Sequence, residues 1–166
     1  MVVKEKLGNL HDFEVNKRQI DWVEIEWFET GKRILHKKTR AGRDIVMKFL
    51  NETTGICQDD VLYLDESLLI VADILACDCV VVTPTTMFET ASLCYEIGNK
   101  HTPLFYDDGS FLIPYEAPLF RLLTAQGYQV SLETRKLLNP LKTTVTPHAN
   151  EENTTLFSRI MKLTSS

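Results

Sequence analysis

The chain has 166 residues, 44% hydrophobic, 25% charged and 9% aromatic, a globular balance that excludes a coiled coil, a collagenous repeat and wholesale disorder. Its 18 basic against 23 acidic side chains leave a formal charge of −5, which repels a phosphate backbone and argues against nucleic acid as a partner. No apolar run approaches the roughly 18 residues that cross a bilayer, and Lys4, Glu5 and Lys6 stand where a signal peptide carries its apolar stretch, so a cytoplasmic chain is expected, with no membrane contact.

The first seventy-odd residues alternate short apolar runs with turn signals, the pattern of strands joined by hairpins. Val23, Ile25 and Trp27 point one way and Glu24 and Glu26 the other, the period of two that buries one strand face. A hairpin is expected from Ile34–Thr39 and Asp44–Leu50 around Ala41-Gly42, and another from Val61–Leu64 and Leu68–Val71 around Asp65-Glu66-Ser67. No segment before residue 84 has a good helical period, so residues 1–75 read as an all-β domain.

From Cys79 the texture changes. Cys79–Thr83 is a β-branched strand, followed by Thr85, Thr86 and Glu89 at the spacing of a capping box. The helix that starts there carries Met87, Phe88, Ala91, Cys94, Tyr95 and Ile97 at helical steps, with Gly98-Asn99 as a left-handed stop. Pro103–Tyr106 and Ser110–Ile113 form a hairpin around Asp107-Asp108-Gly109. Pro118–Gln126 reads as a second helix and Tyr128–Leu132 as a last strand. The order β-α-β-β-α-β over residues 76–140 predicts a ferredoxin-like domain. Residues 141–166 are polar, with nine Ser or Thr, and read as a flexible tail. The fold class is thus α+β: an all-β domain, a ferredoxin-like domain and a tail.

The sequence holds four histidines. His11 in a polar loop and His36 among lysines read as solvated surface residues. His101 lies just past the first helix on a short loop between rigid elements, where sites are often built. His148 stands in the tail as Thr146-Pro147-His148-Ala149. One histidine per chain holds a transition metal poorly, but a residue near a two-fold axis appears twice in a dimer, and imidazole suits nickel, copper or zinc. Enzyme motifs are missing: there is no GxSxG, HExxH, P-loop or GxGxxG. Cys57, Cys77, Cys79 and Cys94 form no CxxC pair and read as thiols, Cys77 and Cys79 on one buried strand face and Cys94 on the helix stripe. Residues 32–43 carry Lys32, Arg33, Lys37, Lys38, Arg40 and Arg43 with no acid, either a solvated hairpin or a docking face for an acidic protein.

Glu96-Ile97-Gly98-Asn99-Lys100-His101 resembles the EIGNRH signature of the UreE family of urease accessory proteins, with Lys100 in place of arginine. Asp21–Trp27, Lys32–Leu35 and Asp60–Tyr63 resemble strands of the same family's first domain, and the likeness spans about residues 1 to 148. The resemblance implies a cytoplasmic nickel metallochaperone, not an enzyme: a protein-binding β domain, then a ferredoxin-like domain through which the chain forms a homodimer. It further implies that His101 and its symmetry mate hold Ni(II) at the dimer interface, that His148 adds a ligand, and that the metal passes to the urease maturation complex containing the GTPase UreG. Zn(II) is possible at the same donors. Many members end in a histidine-rich tail, whereas this one holds only His148, so one ion per dimer is expected rather than storage. The alternative is a metal-independent adaptor or folding chaperone that grips its partner through the β domain and the basic hairpin.

Overall fold

A computed structural model of the chain describes residues 1–15, 18–50 and 55–141. Its first half contains β1 (Val2–Val3), β2 (Gly8–Asn9), β3 (Gln19–Ile25), β4 (Ile34–Lys38), β5 (Asp44–Lys48), β6 (Asp60–Leu64) and β7 (Leu68–Ile74). These build two sheets, of order β1-β5-β4 and β2-β6-β7-β3. Both expected hairpins are present: β4 pairs antiparallel with β5, and β6 with β7. The sheets are completed by parallel pairings, β1 on β5 and β3 on β7, which join segments distant in sequence and leave no turn signal. Val23, Ile25, Leu35, Ile45, Met47, Ile70 and Ile74 fill the space between the sheets.

The β4–β5 turn shows how local chemistry fixes register. Gly42 takes φ 84°, open to glycine at little steric cost. The buried Asp21 carboxylate accepts the backbone N–H of Ala41 at 3.1 Å and pairs with the Arg43 guanidinium. Burial pushes this carboxyl up, but the bonds from Thr39, Ala41 and Arg43 outweigh it and hold it below the ordinary aspartate value.

Trp27 departs from the sequence reading. The strand ends at Ile25, and Trp27 opens a 3-10 turn, Trp27–Glu29, because Glu29 accepts the backbone N–H of Glu26 at 3.2 Å and is held by Lys32 and Lys37. The indole packs against the first core and also against the second domain.

Leu75 alone separates β7 from β8 (Ala76–Val82). There follow α1 (Met87–Asn99), β9 (Phe105–Asp107), β10 (Ser110–Pro114), α2 (Ala117–Ala125) and β11 (Val130–Lys136). The strands lie in the order β11-β8-β10-β9 and every neighbouring pair is antiparallel, the ferredoxin-like arrangement that the pattern predicts. The helices cover one face, burying Leu93, Ile97, Leu119 and Leu123 on Val80, Val82, Phe111 and Ile113. The other face, Cys79, Val81, Phe105 and Leu112, is closed by Leu137 and Trp27. Among the described residues no helix is long and apolar enough to cross a membrane. The tail beyond Leu141, and with it His148, lies outside the described residues.

Candidate metal site

His101 sits at the end of α1, whose start is set as the sequence predicts: Thr86 is the N-cap and accepts the N–H of Glu89 at 3.1 Å, while Glu89 accepts the N–H of Thr85 at 2.6 Å. The stop differs. Gly98 and Asn99 belong to the helix, and Lys100 caps it in a right-handed conformation. The left-handed residue is His101, at φ 53°. Its N–H donates to Gly98 O at 3.0 Å, and Thr102 N–H donates to Ile97 O at 3.4 Å, the two bonds of a Schellman motif with histidine in the place glycine usually takes. Lys100 bridges back to Glu96 at 3.2 Å. The imidazole is thus exposed on a backbone fixed by the helix end, in a conformation that costs an L-residue about 1 kcal/mol and that tends to occur at functional sites.

The apolar stripe read from the sequence divides in two. Leu93 and Ile97 face the sheet and Cys94 is half-buried, its thiol pushed up by burial. Met87 (82% exposed), Phe88 (81%) and Tyr95 (73%) face away with Ala91. At 100° per residue these four and Gly98 span about a third of the helix circumference, and a Cβ added at Gly98 would meet nothing within 4 Å. The helix therefore has one apolar face on its own core and a second, bare one that leads to His101. Met87 and Phe88, directly after the N-cap, were the signal for this in the sequence.

The chain's route after β11 brings a second feature to the same place. Leu137 is 2% exposed beneath the sheet. Tyr106 N–H then donates to Asn139 O at 3.0 Å, Phe105 bridges antiparallel to Pro140, and Leu141 N–H donates to Leu104 O at 2.8 Å. Residues 139–141 thus lie beside β9, on the opposite edge of the sheet from β11, and run toward His101, which precedes Leu104 by three residues.

The remaining candidates are dispersed. His11 is exposed, its ring nitrogens 2.6 Å from Asn9 and 3.1 Å from Asp12. His36 is exposed on the outer side of β4, opposite Val46. Cys79 is buried and donates to Glu133 O; burial pushes its thiol and that of Cys77 up, away from the reactive thiolate. Five of the six cations in residues 32–43 are paired: Lys32 and Lys37 with Glu29, Lys38 with Asp44, Arg40 with Glu24 and Asp73, and Arg43 with Asp21. This removes much of the positive field on which a docking hairpin would depend. Among the described residues no three His, Cys, Asp or Glu side chains converge to hold a metal.

Comparison with known proteins gives a consistent result along the whole chain. Residues 3–75 match the family model for the UreE urease accessory protein, N-terminal domain, and residues 77–152 that for its C-terminal domain. The chain is 41% identical over 163 residues to the urease accessory protein UreE of Flavobacterium johnsoniae, covering 98% of this chain and 99% of that one. It is 38% identical to the Actinobacillus pleuropneumoniae protein of that name (85% and 78% covered) and 36% identical to that of Acetivibrio thermocellus (85% and 92%).

Proposed function

Because the chain belongs to the UreE family of urease accessory proteins, accessory chaperones rather than enzymes, we propose that it is a cytoplasmic nickel metallochaperone. It works as a homodimer in which two copies of His101 hold one Ni(II), His148 adds a ligand, and the ion passes to the urease maturation complex through its GTPase, UreG. In this reading residues 1–75 form the protein-binding domain, and residues 76–140 bind metal and dimerise.

The observation that carries the reading is the bare face of α1. Met87, Phe88, Ala91 and Tyr95 are apolar side chains left in water, and apolar surface of this kind is what self-association covers. A two-fold axis near Gly98, where no side chain obstructs a second backbone, brings the two imidazoles together. Among the described residues one chain gathers no set of three donors, and a dimer doubles those it has. Imidazole binds metal only in its deprotonated form, so acid competes with the metal for the same nitrogen. Since copper outranks nickel at imidazole and zinc lies close, Zn(II) competes at the same donors.

Calorimetric titration with Ni(II) tests this reading. His101→Ala loses tight binding, because it removes the two-fold pair, and His148→Ala weakens it less. Parent-like affinity in His101→Ala, or a larger loss in His148→Ala, contradicts the assignment.

A further inference from the structure

β11 is the outermost strand of the second sheet, and its outer edge is open. Tyr115 N–H donates to Asp78 O at 3.0 Å, so the backbone polar groups of Asp78 turn toward β10 and away from Thr134, its partner on β11. Backbone direction alternates along a strand. Thr83 N–H donates to Gln129 O at 3.2 Å, which sets Gln129, Ser131, Glu133 and Arg135 to bond inward to β8. Val130, Leu132 and Thr134 therefore turn N–H and C=O outward. Among the described residues no strand pairs with that edge, whereas at the opposite edge Phe105 of β9 bridges to Pro140. Open edges are ordinarily blunted by lysine, proline or a bulge. Here the outward-turning residues are valine, leucine and threonine, and Lys136 at the strand's end is tied to Asp73.

The side chains of the same residues open onto a cleft. Leu132 lies opposite Val80 of the helix-covered core and Thr134 opposite Asp78. With Asp78, Tyr115 and Glu133 they line a cleft of about 350 Å³. Leu132 is 53% and Tyr115 44% exposed. The Asp78 carboxylate accepts the Thr134 hydroxyl at 2.9 Å, and neither lysine nor arginine lines the cleft.

We propose that the β11 edge and this cleft form a docking site for an extended segment of another protein, one that carries an apolar and a basic side chain two residues apart. The segment adds a strand about 4.8 Å outside β11 and pairs with the N–H and C=O groups of Leu132 and Thr134. Directly opposed residues of paired strands share a face. The side chain beside Leu132 thus covers the apolar surface of Leu132 and Tyr115, and the one beside Thr134 reaches over the short threonine to the Asp78 carboxylate. Charge complementarity selects a cation there. A second copy fits less well, because its own Asp78 and Glu133 would meet an acidic cleft. A second two-fold contact, added to the one proposed on α1, would also link dimers into open chains. The proposal goes beyond the nickel reading and stands without it.

Amide NMR of the isotope-labelled, metal-free full chain tests this. It is titrated with the blocked peptide Thr-Val-Thr-Lys-Thr-Val-Thr-Lys-Thr and with a counterpart in which glutamate replaces each lysine. The lysine peptide is expected to shift the Leu132 and Thr134 amides saturably, and the glutamate peptide to leave them in place. Asp78→Asn keeps an acceptor for the Thr134 hydroxyl but removes the charge, and weakens lysine-peptide binding about threefold. Thr134→Pro removes an outward N–H from an edge strand, where proline is tolerated, and weakens it about fivefold. If that variant proves unfolded, the Asp78→Asn result decides. Equal affinity for the two peptides, shifts confined to other strands, no saturable shift, or parent-like affinity in Asp78→Asn overturns the proposal. So does an edge already covered by a second copy, read in the ultracentrifuge as self-association that Thr134→Pro abolishes and Phe88→Ser/Tyr95→Ser does not.

Discussion

At His101 stability and the proposed metal role pull apart. A left-handed C-terminal residue favours glycine, and histidine there is retained at a cost of about 1 kcal/mol. His101→Gly is therefore expected to raise the unfolding free energy by up to about 1 kcal/mol while losing tight Ni(II) binding. Denaturant unfolding of the metal-free protein measures the first effect, and a stability loss would show that the side chain has a structural role. The sequence placed His101 on the loop after α1, where it lies, but assigned the left-handed turn to Gly98-Asn99. Gly98 looks like the natural left-handed stop, yet the helix runs through it, and only the two bonds to Ile97 and Gly98 carbonyls reveal His101 as the turning residue. The cations of residues 32–43 teach a related lesson. Their run is visible in sequence, but Arg40 finds Glu24 and Asp73 at separations of 16 and 33 residues, and no local pattern announces such partners.

At the scale of elements, the helices and most strands were legible because their hydrophobic periods are strong. The β-α-β-β-α-β order and both hairpins of the first domain follow from alternation and turn chemistry. Where the pattern is weak the reading slips. The last strand was expected at Tyr128–Leu132 and lies at Val130–Lys136; its Glu133–Lys136 end is polar and is strand only because it pairs with Cys79–Ala76 of β8. In α1 the apolar content was legible but its division was not: one wide stripe in sequence is two faces in space, since the sheet needs only the side of Leu93 and Ile97. The bare side yields a direct prediction. Phe88→Ser together with Tyr95→Ser leaves Leu93 and Ile97 in place, so the fold is kept while self-association weakens by at least about 30-fold, or about 2 kcal/mol. Analytical ultracentrifugation reads this as a shift to monomer, and an unchanged dimer would place the interface elsewhere.

Across the whole molecule, the two cores are joined by more than the short link at Leu75. Trp27 lies in both the first core and the second domain's lower layer, and Lys136 ties β11 to Asp73 of β7. Neither tie was legible, because each depends on how two separately patterned domains meet. The acidic total of −5 also resolves spatially, with five of the six cations of residues 32–43 paired to carboxylates of their own domain. The proposed nickel reading calls for a second copy: a single copy gathers no metal set among its described residues, and the exposed His101 follows the bare apolar face of α1.

The most direct test of the central claim is the metal content of the nickel-loaded protein, measured by elemental analysis on the same sample whose mass is obtained by light scattering. A shared site predicts one nickel per two chains in a particle of dimer mass, with both values lost together in Phe88→Ser/Tyr95→Ser. One nickel per chain in a monomer, or a dimer without tightly held nickel, would contradict it.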